Sequence, residues 1–436
     1  MRLRSSLVRS CFCAPFLVAA MFFVPSLMAD EGTAESPEKK KPETVETGSW
    51  TQWGGEDQSF KAPSGKLKNT WPEAGPPKLW ERDLGEGYSS VLVQDGKLYT
   101  QYRVDEKEAV AALDAATGKT LWERRYEASP AEGHVDQFGR GPRSTPLLVD
   151  GQLFTIGVSG VLLCLNPETG EIQWQLDLWK DLGGSFLNHG YSSSPIVYGD
   201  QLFVLVGGEN QAVVSLDRRD GKVNWKSLSF TNSYSTPRIF NIEDKDHMVV
   251  FMSQEIIGLD PANGELEWTY EIGNQWGQNI NMPVLVDGKH LFFSTNQGGS
   301  RGFDLSRGED GKVGFEEKWS TRKVQLYHVT SILRDDVLYA SSGSRAPNFL
   351  SAINVKTGEI YWRERGFAKA NLLEADGKII LLDEDGVLAL LEVSPEGHKV
   401  LSKVELLERP AWTVPTLVGT TLYLRGKGKL MALDLG

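Results

Sequence analysis

An eleven-residue pattern constrains this chain more than any other feature. It first reads ALDAATGKTLW, from Ala112 to Trp122: an apolar strand end, a polar turn closed by Thr117-Gly118-Lys119, and a second strand ending on tryptophan. Near copies run from Cys164 to Trp174, Ser215 to Trp225, Gly258 to Trp268 and Ala352 to Trp362. A strand–turn–strand unit that returns in this way belongs to a repeat architecture, in which each unit is completed by its neighbours.

From Tyr88 onward each unit opens with a small polar pair, usually followed by Pro, and then a β-rich run. The openings are SSVLV at Ser89, STPLLV at Ser144, SSPIV at Ser193, STPRIF at Ser235, NMPVLV at Asn281, VTSILR at Val329, ANLLEA at Ala370 and TVPTLV at Thr413. Consecutive openings lie 41 to 55 residues apart. Asp95-Gly96, Asp150-Gly151, Asp287-Gly288 and Asp376-Gly377 then supply the positive φ angles of a two-residue hairpin, and no useful stretch has helical periodicity. Four short antiparallel strands in about 40–50 residues is the signature of a propeller blade. The sequence therefore predicts an all-β fold, a single eight-bladed β-propeller spanning residues 49–436.

Two copies of the pattern are worn. Asp304 to Trp319 carries an insertion, and Leu390 to Ser402 has an aliphatic residue near Leu401 where tryptophan is expected. The eighth unit stops at Gly436 with no tryptophan strand, whereas Pro77 to Leu84 (PKLWERDL) is a tryptophan strand with no blade before it. An open edge invites aggregation, so Lys78–Leu84 is expected to pair with the strand around Leu430–Leu435 and close the ring.

The repeated residues read as structural. An indole on each outer strand can fill the wedge that widens away from the ring axis, and the turn glycine permits the bend. Trp80, Trp122, Trp174, Trp225, Trp268, Trp319 and Trp362 are thus expected to dock blades. The AxDxxTGKxxW pattern resembles the tryptophan-docking motif of the pyrroloquinoline-quinone (PQQ) type propeller family, with a complete match at Ala112–Trp122 and coverage of essentially all of Trp50–Gly436. That family includes BamB-type propellers of the outer-membrane assembly machinery, which are non-enzymatic, and the quinoprotein alcohol dehydrogenases, which use PQQ and calcium. The resemblance implies the fold and leaves both functions open. The dehydrogenase branch further implies a vicinal Cys-Cys disulfide under the cofactor and long insertions.

Formal net charge is −12. Three Arg and no acid within Met1–Ala29, an apolar run from Cys11 to Leu27 and the small-residue site before Asp30 read as a cleaved secretory leader, whose loss takes the charge to −15. An acidic chain without a basic face is a poor grip for phosphate backbones, which argues against nucleic acid as a partner. Residues 30–48, rich in Glu, Lys, Pro and Thr, read as a disordered tether. The expected location is periplasmic or extracellular, with no membrane span after cleavage near Ala29. Cys11 and Cys13 begin the apolar run, so no lipobox cysteine ends it, and Cys164 alone remains in the mature chain as a buried strand thiol.

Function is expected in the loops from each tryptophan strand to the next opening, which share one rim. Two are enlarged, Tyr126–Arg143 and Asp177–Tyr191. The first blades offer Tyr88, Arg140, Arg143, His189 and Tyr191. The middle ones offer Asn232, Tyr234, Trp276, Gln278, Asn279 and Asn281, and the last offer Tyr327, His328 and Trp412. Amides, Tyr and Trp at a channel mouth suit a protein segment or a polar ligand such as a glycan. His134, His189 and His328 come from loops far apart with no ligand spacing, so no metal is predicted. No catalytic template is present either. The reading is a non-catalytic, exported interaction scaffold with envelope protein partners and no cofactor; PQQ with calcium is the enzymatic alternative, and a glycan-binding propeller a further one.

Overall fold

The computed structural model describes residues 48–129, 132–309, 311–343 and 347–436. The leader Met1–Ala29 and the tether apart from Gly48 lie outside the described residues. Eight four-stranded antiparallel sheets form the eight blades of a β-propeller, numbered here in the order of their openings. Blade 1 is typical: Leu92–Gln94, Lys97–Val104, Lys107–Asp114 and Thr120–Glu127, paired in chain order from the ring axis outward. Its third strand is buried along almost its whole length, and its fourth is mostly exposed. The hairpin turns adopt the expected geometry, with Asp95 at φ 50° and Gly96 at φ 74°. That combination suits the right-handed twist of the flanking strands.

The ring closes as the split motif requires. Lys78–Asp83 runs antiparallel to Lys429–Asp434, with Trp80 opposite Ala432, and becomes the outer strand of blade 8. Both chain ends therefore share one sheet, and the last blade is completed to four strands like the others.

The tryptophans dock between blades. The Trp80 indole Nε1 donates to Ala115 O of blade 1 at 2.9 Å, and its ring lies so close to Gly118 that a Cβ there would meet Trp80 at 2.6 Å. Gly118 also sits at φ +68°, so only glycine serves both needs. Trp122, Trp174, Trp319 and Trp362 likewise donate to Pro167, Arg218, Val355 and Ser394 carbonyls of the following blade. Trp225 lies against Gly264 of blade 4, although its N–H goes to Gln201 of its own blade.

Trp268 departs from the expected role. The insertion in blade 5 removes the turn it would meet, and its N–H donates instead to His247 Nε2 within blade 4 at 2.7 Å. Phe315 of the inserted stretch packs on it at 5.4 Å. Tyr270, Phe293, Phe303 and Phe315 then fill the junction of blades 4 and 5 with aromatic contacts. At blade 7, which has no docking tryptophan, Trp71 from the chain ahead of the ring packs against the core beside Leu401, Val404 and Leu406.

The small polar openings have a job that the sequence pattern does not announce. They bond blade to blade around the axis. Ser90 donates to Val414 O, Gln101 to Ser144 O, and Ser194 Oγ accepts from Thr145 N. Ser194 N donates to Thr236 Oγ1, and Ser235 donates to Asn281 O. Asn281 donates to Val329 O, Thr330 N to Asn371 Oδ1, and Asn371 to Trp412 O. This collar crosses all eight junctions.

Residues 48–77 are not blade. Residues 50–61 form a strap across one end of the channel, and Trp71 further on reaches the outermost strand of blade 7. Trp50 pairs with Val93 of blade 1, Leu148 N of blade 2 donates to Thr51 O, and Trp53 donates to Met282 Sδ of blade 5. Arg238 of blade 4 donates to Asp57 O, and Lys61 bridges to Glu374 of blade 7. Val93, Leu148 and Glu374 all lie just before their hairpin turns, so the strap lies at the end opposite the connecting loops.

Candidate functional site

At the loop end, the channel opens into a cavity of about 950 Å³. The repeat determines what lines it. The residue immediately before each opening pair is Tyr88, Arg143, Ser192, Tyr234, Ile280, His328, Lys369 or Trp412, and all eight line the cavity. The first residue of each pair is buried in the collar, and the chain emerging just ahead of it must pass the axis. One side chain per blade thus converges on one space. The strap supplies Trp53 to the same lining from the far end.

Nine of the fourteen rim residues named from the sequence meet here: Tyr88, Arg143, His189, Tyr234, Trp276, Gln278, Tyr327, His328 and Trp412. The other five do not, each for a local reason. Tyr191 is wholly buried in blade packing, where its hydroxyl accepts from Leu205 N. Asn232 and Asn279 are buried and spend their amides on Leu205 O and on Met252 O and Ser253 O. Asn281 belongs to the collar. Arg140 turns away to the surface and pairs with Asp136 at 2.6 Å. Gln137, Phe138, Lys369, Glu384, Arg409 and Lys427 are further lining residues that loop composition does not single out. Lys369 is marked in the sequence by its place before an opening pair. Glu384 and Lys427 stand in the loops between second and third strands, which carry no repeated mark.

The walls are aromatic. Trp412 is the hub, with Phe138, His328 and Tyr88 ring centroids 5.0, 4.9 and 5.4 Å away. Phe138 continues to His189, and His189 to Tyr234. Opposite, Tyr327 donates to Gln278 Oε1 at 2.5 Å. Such edge-to-face and tilted packing holds rings in place without a collapsed core.

The charge in the lining runs against that of the protein. Arg143, Lys369, Arg409 and Lys427 share the lining with one carboxylate among the described residues, Glu384, and Arg409 also pairs with Asp385, outside the lining, at 3.5 Å. Glu384 is buried and accepts from Lys369 Nζ at 2.9 Å, Arg409 Nη2 at 3.1 Å and Trp412 Nε1 at 3.2 Å. Burial works against its charge, yet the bonds from Lys369 and Trp412 prevail and hold its carboxyl below the usual range. Arg143 donates to the carbonyls of Gly141 and Gly139. Burial lowers its pKa, but a guanidinium remains charged. Burial, helped by Lys369, brings His328 down to about 4, and burial with Arg143 lowers His189 as well. Both imidazoles are neutral at pH 7. His189 Nδ1 and His328 Nε2 are buried without a hydrogen-bond partner among the described residues.

The lining does not form a metal centre. Among the described residues no three His, Cys, Asp or Glu side chains converge so as to hold a metal ion. His134 Nε2 lies 3.5 Å from Gly139 O, and the residue is not in the lining.

Comparison with known proteins agrees with this architecture. The solved structure of BamB from Moraxella catarrhalis superposes with a TM-score of 0.56 at 18% identity, covering 82% of this chain and 99% of that one. A quinohemoprotein alcohol dehydrogenase from Comamonas testosteroni gives 0.61 at 12% identity, covering 89% and 80%. At such identities both show the fold alone. In sequence, BamB of Yersinia pestis is 24% identical over 273 residues, which is 59% of this chain and 65% of that protein's length. The family profile described as outer membrane protein assembly factor BamB matches residues 73–138 and 106–364. With its repeat matched over more than half its length, the chain belongs to the BamB outer membrane protein assembly factor family.

Proposed function

We infer that this protein is a non-catalytic interaction scaffold of the cell envelope, engaging a protein partner of outer-membrane assembly at the mouth of its channel. One observation carries the reading: all eight connecting loops deliver a side chain to a single mouth, while the repeated motif is consumed in holding the blades together. Around that mouth Trp276 and Phe186 are large exposed aromatics, the residue types that anchor protein interfaces. The relatives named as BamB supply the context of outer-membrane assembly.

The quinone-and-calcium alternative meets an unsuitable donor set. Calcium takes six to eight oxygen ligands, carboxylates prominent among them. Glu384 is the one carboxylate in the lining among the described residues, and Lys369, Arg409 and Trp412 already occupy it. Cys164, the one cysteine among the described residues, is buried in blade 2, where burial pushes its thiol up to about 12. A vicinal cysteine pair under a cofactor therefore has no counterpart among the described residues.

The test is reciprocal co-purification of the full chain with β-barrel assembly components from the native envelope, compared with the double variant Trp276→Ala, Phe186→Ala. Co-purification lost in the variant at unchanged melting temperature supports the scaffold. Stoichiometric uptake of PQQ and Ca²⁺ with dye-linked alcohol oxidation overturns it, as does co-purification that survives the double variant.

A further inference from the structure

We propose that the cavity is a binding site for the end of an acidic saccharide chain, with a uronate carboxylate seated at Arg143. This goes beyond the scaffold reading and does not use its exposed anchors, Trp276 and Phe186.

Four features point to that chemistry. The first is charge. The lining holds four cationic side chains and one carboxylate that is already shared, in a chain of formal charge −12. A cationic well in an acidic protein selects anions by focusing its field. Arg143 makes no salt bridge among the described residues, Glu86 and Glu108 acting on it from beyond contact, and it donates to two carbonyls. A guanidinium in that position binds a carboxylate through charge-assisted, fork-shaped hydrogen bonds.

The second is the wall. Tyr88, Phe138, His328 and Trp412 form a continuous aromatic belt, against which the C–H faces of a pyranose pack. Gln137, Gln278 and Ser192 also reach the lining. Many small donors and acceptors beside aromatic rings match a polyhydroxylated ligand better than a purely apolar one.

The third feature disfavours an extended peptide. A peptide in this channel would add to the free edges of the inner strands, as the strap does at Val93 and Glu374. At the mouth end, the collar already takes the carbonyls of Asn281, Val329, Trp412 and Val414. The last feature is the floor. The strap closes the far end, with Trp53 in the lining, so a chain can enter by its end and cannot thread through. A volume near the top of the about 300–1,000 Å³ range of small-molecule sites suits a short oligosaccharide end.

The experiment is calorimetric titration of the full chain with tetragalacturonate, in parallel with its fully methyl-esterified form, which keeps the sugar rings and removes the charge. Saturable binding of the acid, at least about tenfold tighter than the ester, is expected. Arg143→Gln should cost the acid about tenfold and leave the ester unchanged. Lys427→Gln, at an exposed position, should weaken the acid in the same sense without affecting folding. It keeps the test decisive if Arg143→Gln destabilises the ring. A long polygalacturonate should bind one protein per chain end. Equal affinity for acid and ester, no saturable binding of either, stoichiometry that scales with polymer length, or tighter binding of an acidic hexapeptide would each overturn the proposal.

Discussion

The propeller is fastened twice, and its two fastenings differ in kind. The inner collar is made of small polar side chains and backbone carbonyls, and it crosses every junction. The outer belt is made of indoles docked on the next blade's turn, most of them against its glycine, and it fails twice: between blades 4 and 5, where an aromatic cluster replaces it, and between blades 7 and 8, where Trp71 from the chain ahead of the ring stands in. Geometry explains the contrast. Near the axis the blades are close enough for single hydrogen bonds, whereas the outer wedge has to be filled by volume. Volume can be supplied by any large side chain, so the outer belt tolerates substitution of one device for another.

The largest expected effect comes from removing the shared element of both chain ends. Deleting residues 78–83 strips blade 8 of its outer strand and the Trp80 dock, and should abolish the single cooperative melting transition; a retained sharp transition would show that closure is dispensable. Next is Trp122→Ala, which empties a docking wedge and should cost about 3 kcal/mol in chemical denaturation. Tyr270→Ala at the blade 4–5 junction should cost less, because the neighbouring rings can shift into the space.

Acid should set two buried sites against each other. Burial brings His247 down to about 4, and the Trp268 N–H requires an unprotonated Nε2. The unfolded chain binds that proton near pH 6.5, so this stability is lost as pH falls from about 6.5 toward 4. Glu108, at the junction of blades 1 and 2, responds in the opposite sense. Burial raises it to about 7, despite hydrogen bonds from Tyr126 and Val158. Its raised value favours the folded state when protonated, so its contribution is fully present below about 4.5 and lost as pH rises through 7. Each effect is about 3 kcal/mol at its limit. Hydrogen exchange at pH 7.5 and pH 5 should therefore show protection falling in blade 4 and rising in blade 1, with Glu108→Gln abolishing the second change. The smallest effect is in the collar: Ser194→Ala leaves Thr145 N without its acceptor and should cost about 1–2 kcal/mol.

Much of the fold was legible because the chain states it repeatedly. Blade number, hairpin turns and the split last blade all follow from the copies of one motif and from the lone strand at Trp80. The cavity was legible only in part, since its code is a phase, the residue just before each opening pair, and not a residue type. Choosing polar and aromatic loop residues by type swept in Asn232, Asn279 and Tyr191, whose partners are the blades themselves. The strap was not legible, because Trp53 and Lys61 pair with strands far away in sequence and follow no repeat.

The strap also has a kinetic consequence. A ring of blades left open at both ends is a tunnel, and what it holds can leave by either route. With Trp53 at one end, entry and exit share a single doorway. A protein seated across that doorway would slow the release of anything inside without touching it, so residence time would respond to the partner even where equilibrium contacts in the cavity are unchanged.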